Sequence, residues 1–596
     1  MAKLGYGKKD AASQMQSHPD ATTNLAGGLA FNINDPSVKL LTMIGASFFE
    51  EPTYYEPSEE DQKLSRQPVL AGIAKEGKVS AEKLAAITDR SREVIETAFK
   101  VAQSENPRDL LALAHWCRKE MNIRTTPQVL LAMATAFPGS NKCVREYAPK
   151  IIQRADEIRD VFAIYTHFFG HKLPMSLKDG LGSAFAKFRE SDFLKYDGTD
   201  HPSFKDVLLM INRKKDFPVS KEVFEFLVNG KVVDETKTPV IAARKALAQK
   251  KEWDAEARKL AKASFVTWEV LLSQFGKDEK TKDDLWSFMI DEKLLGYMAM
   301  LRNLRNVLEA GVSKSVIKAI AAKLSDPDEV KRSKQLPFRF FSAYRVLDKG
   351  AESRYEVGRG KGRMREMKEV DEASVGILLE AIDKALKVSA EALPKFPGVT
   401  GVFADNSGSM SSPLSEKSTL SVADAANILC SLSLFTCEEA IVGAFGDDVA
   451  ICRLSKEDKI LRNMEKIAKA DTKGCSTNAY RIFQHLKVKK IKVDRVIILS
   501  DMQCWNSGGS GGIYGGHDAQ LAPCFLEYKR QVNPKVILHT VDLQGHGQAV
   551  VPANEPGVNL VSGFSEKILK RLAEFEGIGT KDEKPIATID YVRKNF

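Results

Sequence analysis

The residues with the clearest chemical potential are Asp405-Asn406-Ser407-Gly408-Ser409. They end the apolar run Val399-Thr400-Gly401-Val402-Phe403-Ala404 and precede a helix-like segment, Leu420 to Leu434. Such a run reads as a buried parallel strand, and ligands bind beyond the carboxyl ends of strands in an open α/β sheet. One carboxylate and two hydroxyls at alternating positions crowd oxygens there, a donor set that suits a hard divalent cation. The same five residues could instead simply cap the following helix. Two more oxygen sources lie on comparable elements. The strand-like run Arg495-Val496-Ile497-Ile498-Leu499 leads into Ser500-Asp501, and Gly474-Cys475-Ser476-Thr477-Asn478 opens another helix.

Other chemistry is less well supplied. Asp405 and Asp501 could act as acid and base, but ligation of a metal would commit both. Ser407 has no histidine nearby in sequence to activate it. His167 and His171 stand four apart without the glutamate of HExxH, in an aromatic segment. Ser507-Gly508-Gly509-Ser510-Gly511-Gly512 lacks the GK[ST] ending of a phosphate loop. The eight cysteines form no CxxC pair, and several lie in apolar runs, which implies a reducing compartment with neither a disulfide framework nor a zinc knuckle.

The elements that must position these residues belong to a long chain. Its 596 residues exceed one compact core and suggest roughly three to five units, or fewer with a repeat array. A hydrophobic share of 43% and a charged share of 28% are ordinary for a globular chain. The net charge of +9 is compatible with an anionic partner without requiring one. Met1 to Ala21 lacks the apolar core of a signal peptide, and no stretch reaches the ~18 apolar residues of a membrane span. A cytoplasmic location is expected.

From Ser80 to Leu347 the pattern is a series of short helices of about ten to thirteen residues, without strand signals, as in a HEAT-type solenoid. Leu294–Leu308 reads as one of these helices, and Pro337-Phe338-Arg339-Phe340-Phe341 starts the last with proline in its first turn. The Gly/Arg segment Arg354 to Arg365 breaks the series, and a helix from Val370 to Ala392 follows. Beyond Pro397 strands at Thr400–Ala404, Glu439–Phe445, Arg495–Leu499 and Val536–Val541 alternate with helices, so a parallel sheet with helices on both faces is expected. The fold class is α plus α/β. The boundaries are a polar arm at 1–21, a helical array at 22–369, a connecting helix and linker at 370–397, an α/β domain at 398–580 and a terminal segment at 581–596.

Asp405, Ser407, Ser409, Thr477 and Asp501 together resemble the metal-ion-dependent adhesion site of a von Willebrand factor A domain, in which DxSxS, Thr and Asp hold one Mg²⁺ or Mn²⁺. The helical half resembles a TROVE domain through Asn24-Leu25-Ala26-Gly27-Gly28-Leu29-Ala30-Phe31, Thr53-Tyr54-Tyr55, Leu173-Pro174-Met175-Ser176-Leu177-Lys178-Asp179-Gly180-Leu181, Ser203-Phe204-Lys205-Asp206-Val207-Leu208, Met300-Leu301-Arg302-Asn303-Leu304 and Leu336-Pro337-Phe338. A TROVE domain followed directly by an A domain is the arrangement of the Ro autoantigen family and its bacterial relatives. Ile589 to Phe596 resembles that family's end, where the segment packs back on the helical array.

The resemblance implies a ring of HEAT-like helices with no catalytic residues. It implies Y RNA on the outer surface and 3′ ends of misfolded or structured non-coding RNA at the central hole. It also implies an exoribonuclease partner such as polynucleotide phosphorylase, and an acidic protein ligand at the metal. Local alignment places Lys178, Lys195 and Lys205 in the family's basic, RNA-binding stretch, with Lys187 and Arg189 nearby. Phe204 stands where vertebrate relatives carry a histidine implicated in Y RNA binding. Arg359, Lys361, Arg363 and Arg365 form a second basic segment, a solvated linker or an RNA contact. Tyr196 and Phe204 could stack on bases or belong to the core. Two other functions fit the residues: a metal-dependent protein adaptor with RNA incidental, and a metal-dependent hydrolase.

Overall fold

The strands form where runs of apolar and β-branched residues leave no polar face. In the computed structural model, β3 (Phe396–Asp405) and β6 (Arg495–Ser500) are the two central strands of a six-stranded sheet, and every residue of β6 is buried. Strands covered on both sides by helices have this continuous character. The structure describes residues 15–44, 89–104, 106–196, 202–211, 219–278, 280–333, 335, 337–348, 370–414, 420–505, 520–564, 567–579 and 586–596. The Gly/Arg segment with Arg359, Lys361, Arg363 and Arg365, and the Ser507–Gly512 run, lie outside them.

The described chain forms two compact units. One gathers the residues up to Cys143, His167–Phe169 and Leu393 onward. The other comprises Val144–Thr166 and Gly170–Ala392.

The first unit is built on the sheet, ordered β5-β4-β3-β6-β7-β8 with β4 at Cys437–Phe445, β5 at Val449–Ile451, β7 at Ile537–Asp542 and β8 at Val558–Ser562. All neighbours are parallel except the edge pair β4–β5, which is antiparallel, so the sheet is mixed. β5 and β8 are too short or too interrupted by polar residues to stand out in the sequence. Chain order reverses between β3 and β6, which makes the space beyond their C-terminal ends the switch point where a crevice forms.

Residues 15–44 belong to this unit and are not a free arm. β1 (Ala21–Thr23) and β2 (Leu29–Phe31) form an antiparallel hairpin. Phe31 exchanges backbone hydrogen bonds with Ala549, at 2.8 and 3.1 Å. Its ring is fully buried in the same core as Phe403, Phe445 and Phe525. The helix Pro36–Ile44 starts on the Asp35 carboxylate, which accepts the Ser37 and Val38 N–H groups. Ser562 at the end of β8 donates to the Leu41 carbonyl at 3.0 Å. This stretch is no more apolar than the chain as a whole, and its apolar residues Leu29, Ala30, Phe31 and Ile33 reach the core.

The other end of the chain is fixed in the same unit. Arg593 of the helix Thr588–Asn595 donates to Asp109 at 3.2 Å, and the rings of His115 and Phe596 meet edge-on at 5.1 Å.

The second unit is helical. The series expected from sequence is present, with bounds shifted by a few residues. Three further helices, Glu190–Tyr196, Lys221–Asn229 and Pro327–Ser333, were not among those expected, and the segment expected as one helix over Leu294–Leu308 takes another form. It is two short helices, Tyr297–Arg302 and Leu304–Glu309, broken at Asn303. The Asn303 amide turns back to the Ala299 carbonyl at 2.7 Å and competes with the helical ladder. Neighbouring helices pair, Pro239–Ala248 with Ala255–Ala263 and Lys314–Ser325 with the long helix Glu372–Glu391.

Candidate functional site

The metal candidates come together in the first unit. Asp405 is the last residue of β3, and Asp501 follows the last residue of the adjacent β6. Asp405, Asp501, Ser407, Ser409 and Thr477 are all buried. The Asp405 Oδ1 accepts the Ser407 N–H at 2.8 Å, and its Oδ2 accepts the Ser500 hydroxyl at 2.5 Å. The Ser407 and Ser409 hydroxyls lie 3.2 Å apart. The Gly408 N–H donates to the Cys475 carbonyl at 3.0 Å and ties the serine loop to the Thr477 loop.

That second loop is shaped by close approaches. Asp447 Oδ1 accepts the Ser476 N–H at 2.8 Å. A Cβ at Gly474 would fall 2.4 Å from the Asp447 carboxyl carbon, and one at Gly446 would fall 2.3 Å from the Gly474 carbonyl. Glycine at both positions lets the loop lie flat on the β4–β5 turn and brings Thr477 to the crevice.

Three neighbouring strand ends use one device. Asp405, Asp501 and Asp542 each accept the N–H two residues on, from Ser407, Gln503 and Gln544. Asp542 also accepts the Gly545 and His546 N–H groups and is thereby satisfied. Asp501 is not. Its Oδ2 is buried and finds no donor among the described residues. An unsatisfied buried carboxylate oxygen calls for an unseen partner such as an ion or water. Burial first, and the neighbouring Asp501 second, push Asp405 up to about 7. Burial likewise raises Asp501, against the Ser409 hydroxyl and the Gln503 N–H. Two buried carboxylates with an orphan oxygen and two hydroxyls fit a hard cation. No group of three or more His, Cys, Asp or Glu side chains gathers as a metal cage among the described residues. The donor set is therefore low in charge and dominated by hydroxyls.

Sequence reasoning did not single out Ser500, which holds Asp405 and accepts the Met502 N–H at 3.0 Å. Its position at the end of the apolar run was the available signal.

The basic residues lie in the second unit on three short helices, Met175–Phe185, Glu190–Tyr196 and Phe204–Ile211, and their connections. The apolar faces meet through Phe185, Phe193 and Phe204, with ring centroids 5.3 to 6.1 Å apart. Phe204 is buried, so the reading of it as core holds and base stacking there does not. Arg189, Lys195 and Lys205 are exposed, and Lys178 is half-buried. Lys187 is engaged differently. Its ammonium donates to the Ile152 carbonyl at 2.6 Å and to that of Pro149, closing the end of the helix Asn141–Ile151.

Two arginines from the preceding helix join this surface. Arg154 lies 4.9 Å from the Tyr196 ring, which Lys195 approaches at 5.4 Å. Arg159 lies 4.9 Å from the Phe204 ring, and its Nε is buried without an acceptor among the described residues. Both are distant in sequence from the lysine stretch, so no local pattern announces them.

Residues 254–372 match the TROVE domain family, and residues 401–576 match the Ro60 vWA domain family. The chain is 24% identical to Telomerase protein component 1 of Mus musculus over 316 residues, 44% of this chain and 12% of that protein. It is also 24% identical to Telomerase protein component 1 of Rattus norvegicus over 319 residues, again 44% and 12%. The chain thus spans only a small part of the length of these curated relatives. The crystal structure of the Deinococcus radiodurans Ro (RSR) protein superposes with a TM-score of 0.57 at 16% identity, over 90% of this chain and 99% of that one. Among the described residues no helix is long and apolar enough to cross a membrane. Residues 254–372 thus belong to the TROVE domain family and residues 401–576 to the Ro60 vWA domain family, in succession within a chain that has the fold of a Ro protein.

Proposed function

We propose that this chain is a non-catalytic scaffold for small non-coding RNA in the cytoplasm. It holds Y RNA and the 3′ ends of misfolded or structured RNAs and serves their maturation or decay beside an exoribonuclease such as polynucleotide phosphorylase. The observation that carries the reading is the exposed set Arg189, Lys195 and Lys205, with half-buried Lys178, on helices whose aromatic faces are buried together. Cations on a rigid frame meet phosphates without reading bases. Tyr196, bracketed by Arg154 and Lys195, offers a ring for a splayed base.

The test is a gel shift with a small structured RNA across a salt series. Reversal of charge at Lys178, Lys195 and Lys205 together is expected to weaken binding at least tenfold. It should also flatten the salt slope by about one for each phosphate that is no longer neutralised. Binding as tight as in the unaltered protein would sink the assignment. RNA turnover by the purified protein that requires Asp405 and Asp501 would overturn its non-catalytic character.

The same chain supports a second reading as a metal-dependent adaptor, favoured by the orphan oxygen of Asp501. Asp405, Ser407, Ser409, Thr477 and Asp501 would hold one Mg²⁺ or Mn²⁺. Few charged ligands leave such an ion electrophilic toward an acidic group on a protein partner. Asp405→Ala is expected to abolish partner capture while RNA affinity stays unchanged; joint loss of both would merge the two activities.

A further inference from the structure

The loop that carries Asp501 is not held by its own domain alone. After Asp501 the chain reverses through Met502, a buried residue with φ of 58°, a conformation that non-glycine residues adopt only when their surroundings impose it. Much of that surrounding comes from the turn of the N-terminal hairpin. The Asn24 amide donates to the Cys504 carbonyl at 2.7 Å. The Leu25 N–H donates to the Gln503 side-chain oxygen at 3.0 Å. Gly28 lies so close that a Cβ there would fall 2.0 Å from the Cys504 oxygen and 2.9 Å from the Trp505 Cα. The turn is itself preformed, because Asn24 Oδ1 accepts the Gly28 N–H at 2.8 Å and Gly27 takes a φ of 85°.

Each of these bonds leads one step further to a candidate ligand. Gln503 passes its own N–H to the Asp501 carboxylate at 3.1 Å. Trp505 donates its N–H to the Thr477 carbonyl at 3.3 Å. Asp501 and Thr477 are thus both positioned by residues that the hairpin grips. Lifting the hairpin would leave the Cys504 carbonyl and the Gln503 side-chain oxygen without those donors in a buried setting, and the loop would rearrange to satisfy them.

We infer that the hairpin turn Asn24–Gly28 is a positioning element of the cation site, with Asn24 as its principal residue. The inference rests on the reading of Asp405, Ser407, Ser409, Thr477 and Asp501 as ligands. Cation binding and hairpin docking are then linked in both directions, since whatever stabilises one geometry stabilises the other.

The experiment uses the full chain, with MnCl₂ as the probe. Asn24→Asp keeps the acceptor for the Gly28 N–H and removes the donor to the Cys504 carbonyl. It is expected to weaken Mn²⁺ binding at least fivefold by calorimetry. Asn34→Ala, which removes only an exposed bond to Asp20, is expected to leave the affinity within twofold of the unaltered protein. Mn²⁺ is expected to slow amide exchange across Asn24–Phe31 in the unaltered protein and not in Asp405→Ala. An unchanged exchange rate on adding Mn²⁺, or full affinity in Asn24→Asp, overturns the inference while the ligand set stands. Absence of saturable Mn²⁺ binding in the unaltered protein overturns the ligand set first and the inference with it.

Discussion

Asp405 and Asp501 are buried within one cluster, where burial and their mutual repulsion outweigh the hydroxyl and N–H groups that favour charge. Without a metal the folded state therefore holds a proton on Asp405 more firmly than the unfolded chain does. Stability from this group rises as pH falls through about 7 toward the usual carboxylate range. Asp405→Asn should accordingly raise the melting temperature of metal-free protein at pH 8. It should also erase the gain on adding Mg²⁺ or Mn²⁺, expected in the unaltered protein at about 2.7 kcal/mol for a hundredfold excess over Kd. A scanning calorimetry series at two pH values checks both. Glu576 has the opposite sign. Burial pushes it up, but the hydrogen bonds and charges of His539 and Arg495 outweigh burial and hold it below its ordinary value. Asn559 Nδ2 lies 3.0 Å from His539 Nδ1 and helps hold the ring with Nε2 against Glu576. A carboxyl lowered in the folded state stabilises above its unfolded value and loses that contribution as pH falls toward its folded one. Glu576→Gln should cost about 3 kcal/mol at pH 7, because it strands buried Arg495, and much less at pH 3. Urea unfolding across that range measures the difference. At this scale the candidate oxygen donors stood out because Asp405, Ser407 and Ser409 alternate on one loop. Ser500, Asn24 and Glu576 were not, because their partners lie about 95, 480 and 81 positions away.

Helices reveal their existence through apolar periodicity, and those expected over 107–348 lie within a few residues of the observed ones, apart from the split at Asn303; the short helices Glu190–Tyr196, Lys221–Asn229 and Pro327–Ser333 carry too few turns to show a period. Their pairing was hidden, since any amphipathic face can meet any other. The helix Lys567–Phe575 shows what packing adds. Arg571 is buried with its guanidinium 4.2 Å from the Tyr591 ring and 5.5 Å from Trp116, and it pairs with Glu574 at 2.5 Å. It joins three elements that sequence keeps far apart. Arg571→Ala should destabilise by about 3 to 5 kcal/mol, by opening a cavity and leaving Glu574 with Lys570 alone, 3.8 Å away, whereas Arg571→Met should recover part of that. Chemical denaturation of both variants decides it. Strain at an exposed turn has the converse effect. Phe265, after the helix Ala255–Ala263, is 66% exposed and adopts φ of 47°. Phe265→Gly should raise stability by about 1 kcal/mol, since glycine enters that region without the Cβ clash. A drop in melting temperature would mean that contacts of the ring outweigh the strain.

At the scale of the whole molecule, the two family matches meet near the boundary that composition marks, between the Gly/Arg segment and β3. Compact units divide the chain elsewhere, because the first helices, the hairpin and the last helix all join the sheet. Composition reports where a chain is polar or Gly-rich, and it cannot report which distant residue will fill a gap. Phe31 illustrates this, since the short run Leu29-Ala30-Phe31 gives no hint that it completes the core beside Phe403.

That placement bears on synthesis and on dissection. The hairpin leaves the ribosome some 480 residues before the Cys504 carbonyl it will grip. Until then its strand edge and Phe31 lack their native cover, a situation that invites mispairing in a crowded cell. A fragment cut at 398–580 would lack the hairpin for the same reason. It would carry an Ala549 backbone without its partner Phe31, an ungripped Asp501 loop and a tendency to aggregate. Grafting residues 15–44 onto that fragment through a flexible linker should restore solubility, which makes the hairpin a transplantable cofolding partner.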